Sequence, residues 1–224
     1  MSDIDDRLEL IETKITDQDF LLNRGLGNEV GYYVFDYSPT DELYVRNYVT
    51  CLKEKINRCG YGFQIVEFDL YELVINILKQ EGYLENCFEQ EQSEGFLELA
   101  DGLSNMLGLG STDQTNLIVS AIIEKSPTDS VVFLTGVGKC YPFVRSHNVL
   151  NNLHQVLDSV PVVMFYPGRY SGQNLQLFGT IEDNNYYPID EIFYKDVPNI
   201  PDIETWYEGK ELVENSIDAQ SKSI

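Results

Sequence analysis

Short runs of β-branched and aromatic residues, separated by helical stretches, dominate this sequence. They occupy residues 30–37 (VGYYVFDY), 63–70 (FQIVEFDL), 131–135 (VVFLT) and 160–166 (VPVVMFY), and a shorter run follows at 175–178 (LQLF). Strands that are apolar on both faces are typical of parallel sheets, because crossover helices cover both sides. The pattern therefore predicts an α/β fold: a mostly parallel sheet of about five strands, with helices on both faces.

Apolar residues at helical spacing predict the helices. Ile4, Leu8, Ile11 and Ile15 form one stripe of an opening helix. A second helix is expected to begin after a Ser38 cap and to end at Gly60, with a buried stripe of Leu43, Tyr44, Tyr48, Leu52 and Ile56. Further helices are expected after a cap at Ser111 or Thr112 and over residues 142–157.

Domain organisation follows from composition along the chain. Residues 1–189 read as a single α/β domain, since no internal repeat or low-complexity linker interrupts the alternation of strands and helices. Residues 190–224 carry nine acidic residues against three lysines and end in Ser, Asp, Gln and Lys. This composition predicts an acidic, partly disordered C-terminal extension.

The charge restricts the partners. Thirty-seven acidic residues against fifteen Lys and Arg give a net charge of −22, a field that repels phosphate backbones and anionic membranes. Direct DNA binding and membrane association are therefore not expected, and the acidic N-terminus favours a cytoplasmic location. Residues 80–124 hold nine acidic residues and no Lys or Arg. Such a stretch is either a solvated face or a docking site for a basic partner.

The sequence matches two nucleotide-binding motifs only in part. Gly138-Lys139 after a strand resembles a P-loop, yet Phe133 stands where the first glycine belongs and Cys140 where Ser or Thr belongs. A dinucleotide-binding motif fails because Tyr141 takes the place of its last glycine. The four cysteines form no Cys-x-x-Cys pair. We therefore expect a core similar to a P-loop NTPase or Rossmann fold without the P-loop, and no cofactor or metal.

Charged side chains follow the strands at their carboxyl ends, where open parallel sheets bind ligands. Asp36, Asp69, Lys139 and Arg169 occupy these positions. Arg169 is suited to clamp an anion, or to pair with Asp36 or Asp69 across the crevice. The alternative function is therefore a nucleotide- or anion-binding protein, or an enzyme that uses this crevice.

The predicted helix over 142–157 holds a second group of candidates. Arg145, His147, Asn151 and Asn152 lie on it, and mid-helix asparagines are unfavourable unless their amides are used. The group is either a buried polar network or a face that binds a partner or ligand. His147 and His154 are about 10 Å apart along such a helix, too far to share a metal.

Six blocks in sequence carry a family resemblance. They are LGNE at 26–29, FDYSPTDEL at 35–43, FDLY at 68–71, LTGVG at 134–138, YPFVRSHNVLNNL at 141–153 and FYPGRY at 165–170. Together they resemble the BrxB family of BREX (bacteriophage exclusion) defence systems, over about residues 5–188. The resemblance implies membership of a complex that methylates host DNA and excludes phage, beside the alkaline-phosphatase-like protein PglZ, a methyltransferase and a large ATPase.

The family has no established catalytic activity, so the resemblance implies a non-enzymatic adaptor or assembly factor. PglZ is the expected partner, with other BREX components as alternatives. An acidic surface that mimics DNA on a basic site of a partner is a further possibility.

Overall fold

The computed structural model describes residues 3–22, 31–110, 115–171, 174–184 and 190–191. Its helices are α1 (Asp3–Ile15), α2 (Gln18–Leu21), α3 (Glu42–Cys59), α4 (Leu70–Gln80), α5 (Leu84–Glu94), α6 (Phe96–Met106), α7 (Leu117–Glu124), α8 (Val137–Cys140) and α9 (Ser146–His154). Its strands are β1 (Tyr32–Tyr37), β2 (Gln64–Asp69), β3 (Ser130–Thr135), β4 (Val162–Tyr170), β5 (Asn174–Leu177), β6 (Ile181–Asn184) and β7 (Asp190–Glu191). The predicted C-terminal extension lies outside the described residues, except for 190–191.

The main sheet is parallel, with strand order β2-β3-β4-β1-β7. β5 and β6 continue it as an antiparallel hairpin at the far end of β4. The prediction of an α/β fold with a mostly parallel sheet of about five strands is confirmed. β1 lies beside β4 rather than beside β2. After β1 the chain passes through α3 to β2 at the edge of the sheet, and β3 and β4 then fill the positions between β2 and β1.

The sheet is covered on both faces. On one face Phe35, Phe133 and Phe165 stack across β1, β3 and β4, with the ring centres of Phe35 and Phe165 5.8 Å apart and those of Phe133 and Phe165 5.0 Å apart. Of the predicted stripe on α1, Leu8, Ile11 and Ile15 are buried and Ile4 is half-buried. On the other face Tyr32 and Val34 join the core that α4 to α9 cover. This double burial explains why the strand runs lack polar alternation.

The buried stripe of α3 differs from the predicted one. Residues 39–41 form a single 3-10 turn, so the α-helix begins at Glu42. Its buried residues are Val45, Val49, Leu52 and Ile56, spaced as one face of a 3.6-residue helix, while Leu43 and Tyr44 are exposed. The predicted end is confirmed, because Gly60 adopts a left-handed conformation there.

Two helix starts were wrong. Asn116 caps α7, its side chain accepting from the Val119 N–H at 3.1 Å, whereas the predicted caps Ser111 and Thr112 lie outside the described residues. The predicted helix over 142–157 is shorter: α9 begins at Ser146, after the separate α8 and an extended Tyr141. The reason is Pro142, because the residue before a proline is biased away from the helical region.

β4 extends beyond the predicted run at 160–166, since the strand continues to Tyr170. Gly168 signals a close approach here, not a turn: an added Cβ would lie 2.1 Å from the Gln176 carbonyl oxygen on β5.

The open edge of β2 is covered by α3. The Asn57 side chain donates to the Ile65 carbonyl at 3.0 Å and accepts from the Ile65 N–H at 2.7 Å. Lys53 of α3 pairs with Glu67 of the same strand at 2.5 Å. An exposed strand edge is a template for pairing with other chains, and the Asn57 side chain occupies it at Ile65.

Candidate functional site

The carboxyl ends of β2 and β3 bring two of the predicted site residues together. Lys139 on α8 forms an ion pair with Asp69, the last residue of β2. The Lys139 ammonium also lies 5.7 Å from the centre of the Tyr71 ring. This position is half-buried, with 34% of the Lys139 side chain and 23% of the Asp69 side chain exposed.

Asp69 also caps α4. Its Oδ1 accepts from the backbone N–H of Tyr71 at 3.1 Å and of Glu72 at 3.2 Å. Gly136, which follows β3, has φ +70° and packs against the same carboxylate, so that an added Cβ would lie 2.3 Å from Asp69 Oδ1. The carboxylate is thus fixed by a helix end, a lysine and a glycine turn.

Asp36, at the end of β1, is bound in a different place. Its Oδ1 accepts from Arg7 of α1 at 2.7 Å, and its Oδ2 accepts from the Tyr170 N–H of β4 at 3.0 Å. Arg7 also bonds the Asp36 carbonyl at 2.7 Å and lies 4.9 Å from the centre of the Phe35 ring. Asp36 is buried, so this arrangement joins helix, strand and neighbouring strand inside the fold.

Arg169 lies on β4, exposed and opposite Gln176 of β5. The predicted alternative was that Arg169 pairs with Asp36 or Asp69. Both of these carboxylates have other cationic partners, Arg7 and Lys139.

The second group of candidates divides between surface and interior. Arg145 is exposed at the N-cap position of α9, and His147 is half-buried in its first turn. Asn152 is buried and donates to the Leu109 carbonyl at 3.2 Å, which ties α9 to the segment after α6. Asn151 is half-buried, and its side-chain oxygen is enclosed with no hydrogen-bond partner among the described residues.

The thiol nearest the crevice is poorly suited to attack a substrate. Burial raises the pKa of the Cys140 thiol to about 12, and the nearby Asp69 carboxylate contributes in the same direction. A thiol with such a pKa stays protonated at neutral pH and is a weak nucleophile.

The described part of the chain holds neither a cluster of metal ligands nor a membrane-spanning helix. No group of three or more His, Cys, Asp or Glu side chains within residues 3–22, 31–110, 115–171, 174–184 and 190–191 is placed to hold a metal ion. In the same part of the chain no helix is long and apolar enough to cross a membrane.

Sequence reasoning missed Arg7. It is the residue that fixes Asp36 from 29 positions earlier in the chain. The available signal was a lone arginine in the acidic opening helix, beside the predicted apolar stripe.

Comparisons with known proteins agree with the sequence blocks. A family model described as "BREX protein BrxB" matches residues 66–192. A protein named BREX protein BrxB from Bacillus cereus (strain H3081.97) is 44% identical over 187 residues, covering 84% of this chain and 96% of that protein. One of the same name from Escherichia coli O9:H4 (strain HS) is 31% identical over 183 residues, covering 81% and 87%. No solved structure matches the chain.

Proposed function

The chain belongs to the BrxB family of BREX phage-defence proteins, and on that premise we propose that it acts as a non-enzymatic adaptor within such a system. Its proposed partner is PglZ, and the proposed role of the complex is to support host DNA methylation and phage exclusion in the cytoplasm. Other proteins of the system supply the catalysis and the DNA contacts.

The observation that carries the proposal is the state of the strand-end carboxylates. Asp36 is neutralised by Arg7, and Asp69 is shared between Lys139 and the first turn of α4. Carboxylates that serve as bases or metal ligands need an open side toward a substrate. These two are instead engaged in holding elements of the fold together, which favours a scaffold over a reaction centre.

Charge gives independent support for a protein partner. A net charge of −22 opposes direct contact with DNA, so a role in DNA methylation has to pass through another protein. The same charge attracts a basic protein surface and speeds its association at low salt.

The anion-binding alternative is less well supported. It depended on Lys139 and Arg169 converging on a ligand, and the Lys139 ammonium is already paired with Asp69. An entering phosphate would have to compete with that carboxylate.

The test is co-purification. The tagged full chain is expressed with its whole operon, purified at physiological salt and examined for bound components. We expect PglZ to elute with it in a fixed ratio, and deletion of this chain to abolish both methylation and phage exclusion. Failure to bind any BREX component at micromolar concentration contradicts the proposal. Substrate turnover by the purified chain that is lost on changing one strand-end side chain contradicts the non-enzymatic part.

A further inference from the structure

We infer that the outer surface of α5 and α6 is the docking site for a basic, partly apolar segment of the partner protein. We call it the α5–α6 face, defined by four exposed apolar residues and six carboxylates: Tyr83, Phe88, Phe96, Leu97, Glu85, Glu89, Glu91, Glu94, Glu98 and Asp101. The inference rests on the proposed function and adds to it the surface and the chemistry of the partner.

Exposed large apolar side chains are concentrated in the stretch of chain that forms α5 and the start of α6. Tyr83, Phe88, Phe96 and Leu97 are all exposed, with 51% of Phe88 and 72% of Leu97 accessible. They lie within fifteen residues, whereas nine other exposed large apolar side chains are spread over the rest of the described chain. Single exposed apolar residues are ordinary, but a local concentration marks an interaction site.

α5 packs on the core through few residues, with Leu84 partly buried against it. Cys87 is its one fully buried residue, and its contact with α6 includes the Gln90 side chain, which would lie 3.2 Å from a Cβ added at Gly102. A helix of eleven residues is marginal in water unless packing supports it. Most side chains of α5 face solvent, so its outward surface is available to bind a partner.

The position of Phe96 is fixed before any partner arrives. Its ring packs edge-on against Phe143, with ring centres 4.9 Å apart. A side chain that is already ordered loses less conformational entropy on binding, which favours its use as an anchor.

Charge determines what the face can bind. Its six carboxylates have no Lys or Arg among them, and none occurs anywhere in residues 80–124. Nucleic acid is repelled, and a second copy of this chain, with the same charge of −22, is repelled as well. A protein segment that combines Lys or Arg with apolar side chains fits both the carboxylates and the exposed rings.

The test compares two double variants of the full chain for binding to purified PglZ from the same operon. Phe88→Ser with Leu97→Ser alters the face. Leu43→Ser with Val156→Ser is the control, since these residues have similar exposures of 69% and 44% and lie elsewhere. We expect the face variant to raise Kd by about tenfold or more, and the control to change it by less than about twofold. Melting curves verify that both variants are folded.

A second arm tests the charge. Replacing Glu85→Gln and Glu89→Gln removes two carboxylates from α5 without adding bulk. We expect slower association with PglZ and a shallower dependence of the association rate on salt.

The outcomes separate this inference from the function on which it rests. The α5–α6 face is not the docking site if the wild-type chain binds PglZ and the face variant binds equally well. The same conclusion follows if the control variant is weakened as much as the face variant. In both cases the adaptor function stands. If the wild-type chain binds no BREX component, the proposed function and this inference both fail.

Discussion

Asp36 and Asp69 are each the aspartate at the carboxyl end of a parallel strand, yet the fold uses them in opposite ways. Asp36 is enclosed, with 7% of its side chain exposed, and it joins α1 to β4 through Arg7 and the Tyr170 N–H. Asp69 is 23% exposed and acts locally, on the first turn of α4 and on Lys139. An aspartate near the carboxyl end of a strand is thus an interior joint in one place and a helix cap in the other.

The difference teaches that burial decides how much each contact contributes. A charge left alone inside the fold costs its whole desolvation free energy, whereas one at a half-open edge is solvated by water when its partner is removed. We therefore expect the two strand ends to respond very differently to the loss of one partner.

The largest effect is expected at the enclosed end. Arg7→Met leaves the Asp36 carboxylate buried without its cation, and we expect it to lower the free energy of unfolding by about 3 kcal/mol. Urea denaturation measures the change. Arg46→Met is the control, because its pair with Glu42 is exposed, and we expect a loss of about 0.5 kcal/mol or less. A loss below about 1 kcal/mol for Arg7→Met would mean that water reaches Asp36.

The next effect is expected at the glycine turn against Asp69. Gly136→Ala combines a left-handed backbone with a Cβ that would collide with the Asp69 carboxylate, and we expect it to lower the free energy of unfolding by about 2 kcal/mol. Gly60→Ala is a matched control, since Gly60 has φ +71° and nothing within 4 Å of the added Cβ. Equal losses for the two variants, measured by denaturation, would show that the Asp69 carboxylate moves aside freely.

A smaller effect is expected when Asp69 itself is changed. Asp69→Ala removes the cap of α4, and we expect a loss of about 1–2 kcal/mol in the free energy of unfolding. Asp69→Ser should recover most of this loss, because serine also caps helices. If Ser is as harmful as Ala by denaturation, the ion pair to Lys139 dominates over the cap.

The smallest effect is expected at Lys139. Lys139→Met keeps the apolar stem and removes the ammonium, so we expect a loss below about 1 kcal/mol that fades as salt is raised from low to physiological concentration. Thermal denaturation at several salt concentrations measures it. A larger loss that does not depend on salt would show that the Lys139–Asp69 pair is shielded from water, as the Arg7–Asp36 pair is.

The four buried strands β1 to β4 and the end of α3 could be predicted from the sequence because their causes are local. Double burial sets the composition of residues 32–37 and 130–135, the Ser38 side chain caps the 3-10 turn before α3, and Gly60 ends α3 through its left-handed backbone. Strand order was not readable, because β1 and β4 are paired by contacts between residues 130 positions apart. The break before α9 was missed because apolar spacing runs through Pro142 without showing that the backbone is extended there.

The candidate site was only partly predictable for the same reason. The carboxyl-end rule correctly brought Asp69 and Lys139 together, since both follow neighbouring strands. The rule could not show that Arg7, from a helix before the first strand, forms the ion pair with Asp36. The exposure of the apolar side chains of α5 and α6 could not be predicted either, because periodicity identifies a helix face but not whether another element covers it.

The two bonds from Asn57 to Ile65 have a consequence for how copies of this molecule can assemble. They satisfy the backbone N–H and C=O of Ile65 in the way a neighbouring strand would. Sheet extension from one molecule into the next at Ile65 would first have to release that amide. Edge-to-edge association of copies through β2 is therefore disfavoured at this residue.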